Sequence, residues 1–83
     1  SLNDLESLLR ESNISCAVTS DDTQLIVYIE ATSPGLFDES VAEAKNLFRS
    51  VLNINSSFLV FKQLDCLPRS SSGKLLYSCL AGL

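Results

Sequence analysis

The feature that most constrains this chain is one amphipathic helix bracketed by two strand-like runs. Phe37, Val41, Ala44, Phe48 and Val51 recur at helical spacing, which predicts a helix with a single apolar face. Asp38 and Glu39 stand near its start and Lys45 and Arg49 toward its end, the polarity that the helix macrodipole favours. Before it, Leu25 to Ala31 is dense in β-branched and aromatic residues; after it, Phe58-Leu59-Val60-Phe61 opens a similar run that reaches Leu64. Both runs read as strands. A strand, a helix and a strand in succession predict a right-handed crossover that returns the chain to the same sheet.

The remaining segments fit around that unit. Leu2, Leu5, Leu8 and Leu9 lie on one helical face with Asp4 and Glu6 in the first turn, so a helix is predicted over about residues 2–12, with Asn3 and Glu6 as a capping-box pair. Ile14, Cys16 and Val18 alternate with Ser15, Ala17 and Thr19, the period-2 pattern of a strand with one buried face. Ser20-Asp21-Asp22-Thr23 then turns the chain into Leu25–Ala31, antiparallel to the first strand. Thr32-Ser33-Pro34-Gly35 separates that strand from the long helix. Asp65-Cys66-Leu67-Pro68 closes the third strand, Arg69 to Gly73 is a polar loop, and Leu76 and Leu80 share one face of a short terminal helix. The order describes an α+β fold, a three-stranded mixed sheet flanked by helices, in one domain of 83 residues.

Composition narrows the functional classes. Apolar residues make up 46% of the chain and are spread along it, as a folded domain requires. Leu25-Ile26-Val27-Tyr28-Ile29 is the longest aliphatic stretch and is far too short to cross a bilayer; with no signal pattern at the N-terminus, no membrane insertion is expected. The formal charge of −4, with no run of Lys or Arg, lacks the footprint of a nucleic-acid binder. Cys16, Cys66 and Cys79 form no C-x-x-C pair and there is no histidine, so no zinc site is expected. The three read as reduced thiols of a cytoplasmic protein, each a small buried hydrophobe. Without histidine, a Ser-His or Cys-His nucleophile is excluded within this chain.

One segment is not explained by packing: Leu67-Pro68-Arg69-Ser70-Ser71-Ser72-Gly73-Lys74. Glycine permits positive φ and close backbone approach to a ligand, hydroxyls and amides bond oxyanions, and lysine brings a compact cation on a long stem. The combination predicts a loop that delivers positive charge to a polyanion. It is not a nucleotide-binding P-loop, because Pro68 stands where the first Gly belongs and Leu75 where the magnesium-binding hydroxyl belongs.

This segment resembles the last conserved motif of the acyl-adenylate-forming superfamily of acyl-CoA synthetases, nonribosomal peptide adenylation domains and luciferases. The motif runs approximately Leu-Pro-x-Thr-x-(Ser/Asn)-Gly-Lys, then an aliphatic residue and a later Leu, and is matched by Leu67, Pro68, Ser72, Gly73, Lys74, Leu75 and Leu80. Ser70 replaces the usual Thr and keeps the hydroxyl, while Tyr77 and Ser78 stand where members often carry Arg. The opening Ser1–Leu9 segment is similar to the family's helix after the interdomain hinge, and the succession of elements also fits.

The resemblance implies that residues 1–83 are the mobile C-terminal lid of an ATP-dependent, AMP-forming carboxylic acid ligase, separated from a large N-terminal adenylation domain. It implies Lys74 as the adenylation lysine, with Ser72, Gly73 and Arg69 in the adenylate-facing loop. ATP, Mg2+ and the acid would be held mainly by the large domain, and CoA or the phosphopantetheine of a carrier protein would accept the acyl group. The fragment alone is expected to be inactive. A non-catalytic protein-interaction module with the same fold is the alternative.

Overall fold

A computed structural model describes Ser1–Leu83 as helix α1 (Leu2–Glu11), strands β1 (Cys16–Ser20) and β2 (Leu25–Glu30), helix α2 (Pro34–Leu52), strand β3 (Leu59–Leu64) and a C-terminal segment ending in a single 3-10 turn, Tyr77–Leu80. The sheet order is β1-β2-β3, with β1 antiparallel and β3 parallel to β2. The protein is therefore a small α+β domain with a three-stranded mixed sheet, and β2 is its central strand. No helix is long and apolar enough to cross a membrane.

The sheet buries both faces. Cys16, Val18, Val27, Ile29 and Leu59 meet Leu9, Ala44 and Phe48 from the two helices. On the opposite face Ala17 and Tyr28 meet Leu67 and Leu80, so the C-terminal segment is the second cover of the sheet. This corrects the reading of β1 as a strand with one buried face: Cys16, Ala17 and Val18 are all buried, because successive residues point to opposite faces and each has a cover.

Local chemistry sets the boundaries. Ser33 caps α2 by accepting the Leu36 N–H at 3.2 Å, and Pro34 takes the first helical position, where its missing N–H costs nothing. Asn53 ends the helix at φ 56°, the left-handed geometry that asparagine tolerates. Val51 is 59% exposed and Phe58 57% exposed, so the apolar stripe of α2 stops a turn short of its sequence pattern and Phe58 belongs to the 3-10 turn Ser56–Phe58 before β3.

Two further expectations change. The cap of α1 is Ser1 with Asp4, whose Oδ2 accepts from the Ser1 ammonium at 3.2 Å; Asn3 and Glu6 do not form it. The C-terminal helix is only the 3-10 turn, with Leu80 buried and Leu76 37% exposed, since a 3.0-residue repeat does not stack residues four apart. Of the cysteines, Cys16 is buried as expected, whereas Cys66 and Cys79 are exposed; all three are free thiols.

Candidate functional site

The Gly-Lys segment forms a tight hairpin. The Gly73 N–H donates to the Ser70 carbonyl at 2.9 Å and the Ser70 N–H to the Lys74 carbonyl at 2.9 Å, a turn followed by a left-handed bulge residue. Gly73 is that residue, at φ 87°. The base is closed by Leu76 N–H to the Pro68 carbonyl at 2.9 Å and by pairing of Arg69 with Leu75. Ser70 Oγ accepts the Lys74 N–H at 3.2 Å and lies 2.9 Å from Ser72 Oγ, so the serines rigidify the turn from inside. A Cβ at position 73 would meet nothing within 4 Å, and Gly73→Ala therefore tests backbone conformation alone. It is expected to lower stability by about 1–2 kcal/mol, the cost of left-handed backbone for an L-residue, as read by chemical denaturation. The Ser70 and Gly73 amides should also exchange faster.

Lys74 and Arg69 emerge from this hairpin. Both are exposed, and Arg69 Nη1 donates back to the Gly73 carbonyl at 3.1 Å. The ion pairs of the chain are Ser1 with Asp4 and Arg10 with Glu6, which leaves the Lys74 ammonium without an internal partner. The residues expected to act together, Arg69, Ser72, Gly73 and Lys74, do share one hairpin. Arg69, Gly73 and Lys74 also line one cleft of ≈ 600 Å³, while Ser72 sits on the turn outside it.

The other wall of that cleft was not anticipated. Asn3, Glu6, Ser7 and Arg10, one face of α1, line it together with Leu75 and Tyr77. At the floor, Glu6 is only 3% exposed. Its Oε2 accepts the Val18 N–H at 2.7 Å, and its two oxygens accept the Tyr77 hydroxyl at 2.8 and 2.9 Å. The β1–β2 register explains the first bond. Ser15 pairs with Glu30 through its carbonyl, so the hydrogen-bonded positions of β1 are odd and the Val18 N–H points out of the sheet. Glu6 satisfies that edge donor, and Tyr77 reaches it from the opposite layer. The only sequence signal was the i,i+4 spacing of Glu6 and Arg10, whose side chains lie 3.8 Å apart.

Electrostatics follow from this packing. Although Tyr77 is 40% exposed, withdrawal of its hydroxyl from water, then its hydrogen bond to Glu6 and the charge there, push the phenol up to about 12. Burial first, and then Glu6, push the Cys16 thiol up to about 11. The folded state thus holds both protons more tightly than the unfolded chain, whose values are 9.0 and 10.0. Their stabilising contribution is complete below about pH 9 and is lost as pH rises toward about 12. Denaturation midpoints measured from pH 8 upward should fall through this window, and the fall should shrink in a Cys16→Ala, Tyr77→Phe variant.

No family model, curated protein or solved structure matches the chain, so the functional reading rests on the motif and on this geometry.

Proposed function

We propose that the chain is the lid domain of an ATP-dependent, AMP-forming carboxylic acid ligase, and that Lys74 is its adenylation lysine. The observation that carries this reading is the presentation of Lys74: its backbone is pinned in a Gly73 hairpin while its ammonium is exposed and unpaired beside Arg69. A lysine that must reach a fixed point across a cleft gains from a rigid backbone at its base.

The chemistry asked of it is charge stabilisation. A carboxylate oxygen attacks the α-phosphorus of ATP, the new C–O–P link forms as the bond to the β-phosphate oxygen breaks, and pyrophosphate leaves. Two anions must first approach each other. The Lys74 ammonium offsets their repulsion and meets the charge that grows on the phosphoryl oxygens. Ser70 and Ser72 act on the hairpin and so on where that charge sits. The second half-reaction, acyl transfer to the thiol of CoA or of a carrier-protein phosphopantetheine, uses another pose of the lid.

ATP and the acid are assigned to a large N-terminal domain. No three His, Cys, Asp or Glu side chains gather here as a metal-ligand set, so the residues of this chain do not fit a Mg2+ site. Carboxylate-dependent ATP–pyrophosphate exchange by the lid joined to its adenylation domain tests the reading, with Lys74 as the variable.

A further inference from the structure

The cleft between α1 and the hairpin gathers charge in a way the sequence does not suggest. The chain carries six basic and ten acidic residues, yet three of the six, Arg10, Arg69 and Lys74, line this one cleft against a single carboxylate, Glu6. That carboxylate is turned into the floor, where it accepts the Val18 N–H and the Tyr77 hydroxyl and lies 3.8 Å from the Arg10 guanidinium, so it offsets one of the three cations. Asn3, Ser7 and Arg10 share a helical stripe, and the leucines at 2, 5, 8 and 9 pack the other side of α1 into the core. Asn3, Ser7 and Arg10 are exposed on that stripe, and they line the same cleft as the two cations of the hairpin. A cleft lined by an excess of one sign of charge focuses its field and concentrates the counter-ion.

We propose that this cleft binds an oxyanion of two or more charges from the phosphate class, with Arg10 as a direct ligand alongside Arg69 and Lys74. The guanidinium forks match tetrahedral phosphate oxygens in pairs, and the lysine adds a point charge. The Asn3 amide and Ser7 hydroxyl supply neutral donors on the α1 wall. With Glu6 offsetting Arg10, the cleft still carries two more cations than carboxylates, an excess that suits the two or more charges of a pyrophosphate or phosphate monoester better than the single charge of a monocarboxylate. The proposal stands on the cleft itself. If the ligase reading also holds, α1 supplies a second contact to the phosphates that Lys74 meets.

The test is a titration of the isotopically labelled chain with inorganic pyrophosphate, followed by amide chemical shifts. Saturable shifts are expected on both walls, at Ser7 and Arg10 as well as Gly73 and Lys74. Arg10→Gln and Lys74→Gln should each weaken binding about tenfold, the scale of one charged hydrogen bond, whereas Lys45→Gln, which alters a cation outside the cleft, should not. Unperturbed spectra elsewhere in the variants report that they fold. Shifts confined to the hairpin, or an effect of Lys45→Gln equal to that of Arg10→Gln, would overturn the proposal. AMP and adenosine run in parallel separate the sources: shifts with AMP and not adenosine support phosphate recognition, and equal shifts with both oppose it. Pyrophosphate exchange distinguishes the two readings, since exchange that needs Lys74 without any Arg10-dependent binding keeps the ligase and removes the cleft, and the reverse pattern keeps the cleft and removes the ligase.

Discussion

On the proposed ligase reading, replacing Lys74 with alanine in the parent enzyme is expected to lower carboxylate-dependent ATP–pyrophosphate exchange by about 10²–10³-fold, the usual loss on removing one preorganised donor from a developing oxyanion. The Lys74 side chain makes no hydrogen bond or ion pair within the domain, and its backbone N–H is held by Ser70 Oγ, so truncation removes a charge and leaves the hairpin standing. The domain should keep its unfolding midpoint, which separates a catalytic loss from misfolding. Lys74→Arg is expected to recover little, because the planar guanidinium places its charge differently at the end of a different stem.

The same substitution should discriminate between the half-reactions. Acyl transfer from a preformed acyl-adenylate to a thiol, which the reading gives to another pose of the lid, should fall much less than exchange does. A panel of carboxylic acids would define the acid in the same assay. Exchange that persists in Lys74→Ala would remove the lysine from the mechanism, and absence of exchange with every acid would turn the weight to a protein-interaction module.

The contrast between Lys74 and Glu6 shows what was legible in the sequence. The α+β class, the strand pairing and the long helix all follow from periodicities over five to nineteen residues, and such patterns survive because each buries a whole face. Arg69 to Gly73 read only as a polar loop; its closure into a hairpin, in which the glycine and serines act on backbone within four positions, was not foreseen. Glu6 and Arg10 were not legible, because a charged residue on the polar side of an amphipathic stripe reads as solvated until its neighbours are known. Tyr77 is 71 positions from Glu6, and their meeting depends on α1 and the C-terminal segment covering opposite faces of the sheet beside the same edge. Nothing local marks that. The exposures of Val51 and Phe58 were missed likewise, since a helical or strand pattern does not reveal where its cover ends.

The largest stability effect is expected at Glu6. Glu6→Ala should lower the unfolding free energy by about 2–3 kcal/mol, because it strands the buried Val18 N–H and removes the acceptor of the Tyr77 hydroxyl. For a domain of this size the total is on the order of 4–12 kcal/mol, so the loss is a substantial part of it. The hydroxyl can recover water through the exposed side of its ring; the Val18 amide, in a residue only 1% exposed on the sheet edge, regains it only through the space the Glu6 side chain vacates. Amide exchange at Val18 should therefore accelerate more than at Val27, its partner in β2.

Glu6→Gln separates the hydrogen bonds from the charge. It retains a carbonyl acceptor for Val18 and should cost less than the alanine, yet the Tyr77 phenol should titrate below its present value of about 12, toward the ordinary 10 of a tyrosine. A double-mutant cycle of Glu6→Ala with Tyr77→Phe isolates the contact between the layers, and a coupling of about 1 kcal/mol or more is expected for groups in direct contact. If the cycle closes without coupling, Glu6 serves only the edge of β1. If it is coupled, the carboxylate also ties α1 to the segment that follows Lys74, and the two walls of the cationic cleft are held in register by the residue at its floor.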